Sequence, residues 1–130
     1  MRTNPVIAVV GATGLVGSEM VSVLNELKLS TSGVRLFASE DSVGEVYRVG
    51  SEEVVVELLS EESFSGVDIA LFATSAELSA RFVPLAVKAG AVVIDNSSHF
   101  RMQSDVPLIV PEVNSHLIST HHGIIANPNC

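Results

Sequence analysis

The sequence predicts an α/β domain with a doubly wound, mostly parallel sheet and helices on both faces. Apolar runs with strand character alternate with runs of helical spacing along the chain. Polar clusters directly follow four of the apolar runs, and the carboxyl ends of parallel strands meet at one edge of a sheet, where ligands bind. The clusters are the glycine-rich stretch after Val10, then Thr74-Ser75, Asn96-Ser97-Ser98 and Asn127 to Cys130. We therefore expect a ligand site at that edge.

Composition is typical of one globular domain. The chain has 130 residues, 47% of them hydrophobic and 17% charged, which excludes disorder. No run approaches the ~20 apolar residues that a membrane helix needs, and the early first strand leaves no room for a signal peptide. A single cysteine cannot form an internal disulfide, so we expect a cytoplasmic protein. The net charge of −8 argues against nucleic-acid binding and leaves only seven Lys and Arg residues to hold an anionic ligand.

The first strand and the glycines after it are the clearest element. Val6 to Val10 is apolar and rich in β-branched residues, as in a strand buried on both faces. Gly11, Gly14 and Gly17 follow, and the run from Leu15 to Leu27 predicts a helix that begins among them. In a dinucleotide site such glycines permit a tight turn, close approach of a pyrophosphate and close packing of the helix. The G-x-x-G-x-x-G spacing is not the commoner G-x-G-x-x-G, so a glycine-rich turn without a ligand stays an alternative.

The later elements follow from shorter patterns. Residues 45–59 carry β-branched residues in short runs and predict small strands or an irregular excursion. Pro84 falls inside a predicted helix at 76–89 and predicts a kink or a split, and Gly90 sits where its C-terminal cap belongs. The other predicted strands are 34–38, 67–73, 91–95, 108–110 (stopped by Pro111) and 123–126, and one or two helical turns are predicted over 113–120.

Two residues at the predicted ligand edge could carry chemistry. Cys130 follows a buried strand and a proline-containing turn, where a following helix would lower the pKa of its thiol, although a lone cysteine is more often a small buried hydrophobe. Arg101 offers a planar fork for phosphate or carboxylate, with an ordinary surface arginine as the alternative. The four histidines have no metal-ligand spacing, so no metal site is predicted.

Four blocks of the sequence resemble the aspartate-semialdehyde dehydrogenases: GATGLVG at 11–17, VIDNSSHFRM at 93–102, DVPLIVPEVN at 105–114 and NPNC at 127–130. The resemblance covers essentially the whole chain. It implies a Rossmann-like dinucleotide-binding domain over residues 1–130, with a C-terminal catalytic and dimerisation domain outside this chain. The related N-acetyl-glutamyl-phosphate reductases are one alternative, although they usually have Asp-Leu-Ser at 95–97 and a glycine at Asn129. A dinucleotide-binding module without catalytic activity is the other.

The resemblance also implies a reaction in lysine, threonine, methionine and isoleucine biosynthesis. In such enzymes the thiolate, here Cys130, attacks aspartyl 4-phosphate and expels phosphate, and hydride from a nicotinamide reduces the thioester to aspartate 4-semialdehyde. Arg101 matches the arginine that binds the phosphate, and Asn129 the asparagine that assists it. The full-length protein is expected to be a homodimer or homotetramer. The implied cofactor-binding residues are Gly11, Thr13, Gly14, Leu15, Val16, Gly17, Ser39, Ser42, Thr74, Ser75, Asn96 and Ser97.

The choice between NADP and NAD stays open. The family often reads S-x-R-S-A-G-K after the second strand, where the arginine and lysine meet the 2′-phosphate of NADP. This chain keeps Ser39 but has Asp41 and Glu45 at the two basic positions. An acid after the second strand is also what binding the free 2′-hydroxyl of NAD requires. NADP is therefore the expectation from the family and NAD a live alternative, with Arg35 or Arg48 as sources of a missing cation.

Overall fold

The computed structural model describes residues 4–28 and 31–128, and a single sheet runs through its centre. Helices and short helical turns connect the strands. The elements in chain order are β1 (Val6–Val10), α1 (Leu15–Leu27), β2 (Gly33–Ala38), a 3₁₀ turn (Glu40–Ser42), β3 (Val46–Val49), β4 (Glu52–Leu58), β5 (Ile69–Phe72), α2 (Ala76–Lys88), β6 (Val92–Asp95), α3 (Pro111–Asn114), a 3₁₀ segment (Ser115–Thr120) and β7 (Ile124–Ala126).

The sheet has the strand order β3-β4-β2-β1-β5-β6-β7. Every neighbouring pair is parallel except the antiparallel hairpin of β3 and β4, so the predicted mostly parallel sheet is confirmed. This hairpin is the excursion predicted over 45–59. The chain leaves β1 toward β2 on one side and later returns to β5 on the other, which creates the switch point at which ligands bind in open α/β sheets.

Helices α1 and α2 cover opposite faces of the sheet because successive strand residues point to opposite sides. Val9 belongs to a core cluster with Val21 of α1. Its neighbour Val10 belongs to a second cluster with Phe72 of β5 and Phe82 of α2. The predicted placement of helices on both faces is therefore confirmed. No helix within the described ranges is long and apolar enough to cross a membrane.

Helix α2 is continuous through Pro84, so the predicted split does not occur. Pro84 lies on the exposed side of the helix, where water can bond to the carbonyl group that loses its N–H partner. The end of α2 agrees with the prediction. Gly90 takes φ +102, and the following Ala91 N–H donates to the Ala86 carbonyl at 3.0 Å, as in a Schellman cap.

The strand predicted at 108–110 is wrong in extent, because only a single parallel bridge joins Leu108 to Ala126. Pro111 opens α3 directly afterwards and has no N–H to donate. The N–H of Val110 donates instead to Oδ1 of Asn114 at 2.7 Å. The N–H of Ile109 is the one that donates toward β7, to the Ala126 carbonyl at 2.9 Å, so the Val110 N–H points away from β7. The next donor toward β7 would be residue 111, and its proline ends the pairing.

Candidate cofactor site

Two glycines after β1 could not be replaced by a larger residue without distortion: Gly11 in the loop and Gly17 in the first turn of α1. Gly11 takes φ +82, and a Cβ added there would lie 2.5 Å from the carbonyl oxygen of Ala73. A Cβ added at Gly17 would lie 1.8 Å from the carbonyl oxygen of Gly11. Gly11 therefore makes the tight turn beside β5, and Gly17 lets α1 lie close against the loop. Gly14 differs, because a Cβ there would meet only an ordinary contact at 3.5 Å.

The N-terminus of α1 offers backbone donors rather than side chains. Its first helical bond runs from the Ser18 N–H to the Gly14 carbonyl at 2.9 Å, and no side chain caps the helix. The N–H groups of Leu15, Val16 and Gly17 therefore precede the helical ladder. The side chain of Leu15 is 88% exposed. We conclude that these residues can serve an anion only through their backbone N–H groups.

The glycine loop is joined to the turn after β2. The hydroxyl of Thr13 donates to Oγ of Ser42 at 2.8 Å. The N–H groups of Gly11 and Ala12 both donate to the Phe37 carbonyl, at 2.9 and 3.1 Å. Thr13 and Ser42 are both predicted cofactor-binding residues. They lie 29 positions apart in the sequence and are in direct contact in the fold.

A cavity of about 430 Å³ opens beside these loops at the carboxyl edge of the sheet. That volume is within the range of small-molecule sites. Gly11, Ser39 and Thr74 line it, which brings three of the predicted cofactor residues to one space. Four apolar side chains and three charged ones complete much of the wall: Leu58, Leu59, Leu78 and Phe82, with Glu40, Asp41 and Arg81.

The acids after β2 have different surroundings. Glu40 and Asp41 line the cavity, whereas Glu45 does not and instead accepts the Tyr47 hydroxyl at 3.3 Å. Burial and the Glu45 carboxylate raise the pKa of Tyr47. Of the two positions at which acids replace the family's basic residues, only Asp41 therefore faces the cavity. Among residues 4–28 and 31–128 no group of three His, Cys, Asp or Glu side chains is placed to hold a metal ion.

Neither Arg35 nor Arg48, the two residues considered as a cation for the 2′-phosphate, lines the cavity. Arg35 lies 3.1 Å from Glu57 and also donates to two backbone carbonyls, and Arg48 lies 3.9 Å from Glu53. Arg81 of α2 is the arginine at the cavity wall. Its position could not be predicted from the sequence, because it depends on how α2 packs on β5 and β6 and faces the segment after β4 across the cavity.

A buried hydrogen-bond network lies behind the cavity. Both oxygens of the fully buried Asp95 carboxylate are satisfied: Oδ1 accepts the Ser79 hydroxyl at 2.9 Å and Oδ2 accepts the Ser97 hydroxyl at 2.7 Å. Ser79 also bonds to Oγ1 of Thr74 at 2.7 Å. The network therefore fixes Thr74 and Ser97, two predicted cofactor residues. Asp95 and Ser79 were not predicted as site residues, although an acid at the end of an apolar strand indicates a polar group that needs partners.

Ser75 and Asn96 are the other predicted residues at this edge. The Ser75 hydroxyl caps α2 by accepting the Leu78 N–H at 3.3 Å. The backbone of Asn96 is held on both sides, because its N–H donates to the Phe72 carbonyl and its own carbonyl accepts from Arg101. The side chain of Ser75 is thus used in the helix cap, whereas the backbone of Asn96 positions Arg101.

Arg101 ties together the loops that follow β6 and β7. Its Nε donates to the Asn127 carbonyl and its Nη2 to the Asn96 carbonyl, both at 2.8 Å. The Arg101 side chain is half-buried, and these two bonds hold its guanidinium in one orientation. They use two of its five N–H groups. Asn129 and Cys130, which follow Asn127 in sequence, lie outside the described residues, and their predicted roles stay predictions.

The parallel sheet, the glycine loop at its switch point and the cavity at its carboxyl edge define a dinucleotide-binding domain of the Rossmann type. Comparison with known proteins is more specific. Residues 6–121 match the family model described as semialdehyde dehydrogenase, NAD binding domain. The chain belongs to this family.

Individual relatives agree with the family match. The chain is 48% identical over 126 residues to aspartate-semialdehyde dehydrogenase 2 of Vibrio cholerae, covering 95% of this chain and 37% of that protein. It is 47% identical over 124 residues to the aspartate-semialdehyde dehydrogenase of Bacillus subtilis, covering 95% and 36% of the two chains. The sequence resemblance to aspartate-semialdehyde dehydrogenases is therefore confirmed. The chain spans about 37% of the length of these relatives.

Solved structures show the same relationship. Aspartate semialdehyde dehydrogenase II of Vibrio cholerae, complexed with ASA, superposes with a TM-score of 0.94 at 47% identity and covers 98% of this chain and 42% of its own. The enzyme of Candida albicans with NADP superposes with a TM-score of 0.76 at 25% identity and covers 97% and 43%. These similarities confirm the predicted fold class.

Proposed function

We propose that this chain binds a nicotinamide adenine dinucleotide as the N-terminal domain of an enzyme that reduces aspartyl 4-phosphate to aspartate 4-semialdehyde. The observation that carries the proposal is the joined glycine loop, in which Gly11 and Gly17 have no room for a Cβ and Thr13 bonds to Ser42 beside the cavity. The Candida albicans relative is known in a structure with NADP, and the Vibrio cholerae relative in one with ASA.

The residues of the joined loops suit the parts of such a cofactor. The N–H groups before the helical ladder of α1 would hold the pyrophosphate, since a helix N-terminus favours an anion. Ser39 and Ser42 would lie at the ribose, on the side of the switch point formed by β2. Thr74, Asn96 and Ser97 would line the nicotinamide side. When bound, the nicotinamide supplies the hydride of the reaction.

Cys130, Asn129 and Arg101 would act on the substrate. The Cys130 thiolate attacks the acyl carbon of aspartyl 4-phosphate, a carbon–sulfur bond forms, and the carbon–oxygen bond to phosphate breaks. Reduction of the resulting thioester releases the thiolate and the aldehyde. Arg101 would receive the phosphate with the N–H groups not used on Asn96 and Asn127, and Asn129 would assist it. The orientation imposed by those two backbone carbonyls supports this role.

For the cofactor we propose weak discrimination between NADP and NAD. Glu40 and Asp41 line the cavity and would repel a 2′-phosphate. Like charges ~4 Å apart repel by about 4 kcal/mol at an effective dielectric of 20, and by less where solvent reaches them. The same acids can accept the ribose hydroxyls of NAD. The charges of Glu40 and Asp41 therefore weaken the binding of NADP, the usual cofactor of the family, but do not weaken the binding of NAD.

The full-length protein provides the test of the reaction. Aspartate semialdehyde, inorganic phosphate and NADP or NAD are mixed with it, and nicotinamide reduction is followed by absorbance. We expect turnover that Cys130→Ser lowers by more than about 10³-fold, because a serine hydroxyl is almost un-ionised at neutral pH and is a much weaker nucleophile than a thiolate. Turnover that needs no phosphate, or that survives this substitution, would contradict the proposed reaction.

A further inference from the structure

The guanidinium of Arg81 lies over an aromatic ring at the wall of the cavity. Its Cζ sits 4.7 Å from the centroid of the Phe82 ring, which is itself only 4% exposed. Arg81 also lines the cavity together with the apolar side chains of Leu58, Leu59 and Leu78. A planar cation thus lies over a buried aromatic ring, beside apolar side chains of the cavity wall.

The other contacts of Arg81 leave it free to receive a ligand. Its ion pair with Glu61 is long, at 3.9 Å, and the two side chains are 63% and 65% exposed. Such exposed pairs contribute little to stability. Arg35 provides the contrast: it lies 4.9 Å from the Phe37 ring, but both Glu57 oxygens and two backbone carbonyls hold its guanidinium. Several hydrogen bonds therefore hold the Arg35 guanidinium, whereas Arg81 contacts the Phe82 ring and one distant carboxylate.

We infer that Arg81 stacks on the adenine base of the dinucleotide, so that its guanidinium lies between the base and the Phe82 ring. The inference rests on the proposed function, since it concerns the same cofactor. Guanidinium groups stack on flat aromatic systems, and the adenine ring offers such a face. The leucine side chains of the same wall would cover the rest of the base.

The position of Arg81 favours contact with the adenine base rather than contact with the 2′-phosphate of NADP. Its charged neighbour, Glu61, follows β4, and its apolar cavity neighbours come from the end of β4 and from α2. The loop after β2, where the ribose hydroxyls are held in this fold, contributes Glu40 and Asp41 instead. Adenine is common to NAD and NADP, so a stacking role predicts equal losses for both cofactors when Arg81 is changed.

Calorimetric titration of NAD and NADP into this chain and its variants tests the inference. Arg81→Gln removes the planar cation, Arg81→Lys keeps the charge but loses the plane, and Arg48→Gln is the control. Arg48 has the same 3.9 Å ion-pair distance and a similar exposure of 65%, but it does not line the cavity. We expect both Arg81 variants to weaken NAD and NADP alike, by about 5- to 30-fold, which is typical of a stacking side chain, and Arg48→Gln to change neither.

Two results would overturn the inference while leaving the proposed function intact. A loss confined to NADP and rescued by Arg81→Lys would make Arg81 a partner of the 2′-phosphate. Unchanged affinity for both cofactors would remove Arg81 from the site. Failure of the unsubstituted chain to bind either cofactor is a different outcome, because it would overturn the proposed function together with the inference. Circular dichroism of each variant confirms that the fold is retained.

Discussion

The hydroxyl of Ser79 donates a hydrogen bond to Oδ1 of Asp95 at 2.9 Å, and both residues are completely buried. Ser79 belongs to α2 and Asp95 is the last residue of β6, so the bond joins a cavity-side helix to the loop that carries Asn96 and Arg101. A buried carboxylate is tolerated only when its oxygens are bonded, and here both are. The candidate site is therefore supported from behind by a polar network within the core.

Asp95→Asn is predicted to destabilise the domain. The amide places an NH₂ group where the carboxylate accepted from Ser79 and Ser97, so at least one buried donor loses its acceptor. A hydrogen bond to a charged group contributes about 1.5–3 kcal/mol, and we expect a loss of that size in the free energy of unfolding measured with urea. Asp105→Asn, at an exposed position, is the control. Equal stability of the two variants would show that the network does not support the fold.

Gly17→Ala is predicted to disturb both folding and cofactor binding. The new Cβ would lie 1.8 Å from the Gly11 carbonyl oxygen, so the helix must move away from the loop. Overpacking of this kind costs about 1–3 kcal/mol or more, which thermal unfolding would report as a lower Tm. Gly14→Ala adds the same atom at an ordinary contact distance of 3.5 Å, so it should cost at most about 1 kcal/mol, the scale of a less favourable N-cap residue. Similar effects at the two positions would contradict the assignment of separate roles.

Asp41→Arg is predicted to shift cofactor preference toward NADP, whereas Glu45→Arg is not. Asp41 lines the cavity, while Glu45 bonds to the Tyr47 hydroxyl outside it. Reversing one charge beside a 2′-phosphate should lower the Kd for NADP by about tenfold or more, equivalent to ~1.4 kcal/mol, with little change for NAD. Titration of each variant with both cofactors measures this. An equal response of the two variants would mean that general surface charge, rather than the cavity wall, sets the preference.

Arg101→Ala in the full-length protein is predicted to weaken the use of phosphate. A charge-assisted pair is worth about 1.5–3 kcal/mol, so KM for phosphate in the oxidative direction should rise by about 10- to 150-fold. Because Arg101 also bridges the Asn96 and Asn127 carbonyls, the Tm of the variant is measured in parallel. Arg81→Gln is the kinetic control, because its effect should fall on the cofactor. An unchanged KM for phosphate would place the anion elsewhere.

The helix bounds that depend on residues close together in the sequence could be predicted from apolar spacing and glycines. The bounds of α1 follow from its apolar spacing and the glycines before it, and Gly90 marks the end of α2 by its positive φ. The strand predicted at 108–110 is reduced to one bridge, which is formed by the hydrogen bonds of Ala126 with Pro107 and Ile109, and Pro111 stands at the next position that would donate. An apolar run predicts a strand but not where its partner strand ends, and β7 ends at Ala126.

The candidate site was predictable wherever its residues follow strands directly. Gly11, Ser39 and Thr74 line one cavity because the strand order brings their loops to the same edge. Arg81 was missed because it lies inside a helix, and only the packing of α2 on β5 and β6 brings it to the cavity. Arg35 was considered as a cation for the cofactor, but its partners across the sheet use it within the fold.

We propose that the glycine loop and the adjoining cavity bind the dinucleotide with little discrimination between NAD and NADP. The most direct measurement is calorimetric titration of this chain with each cofactor separately. We predict that both bind and that their Kd values lie within about tenfold of each other, a difference of at most ~1.4 kcal/mol. Binding of neither cofactor would contradict the site itself, and a hundredfold preference for NADP would contradict the part assigned to Glu40 and Asp41.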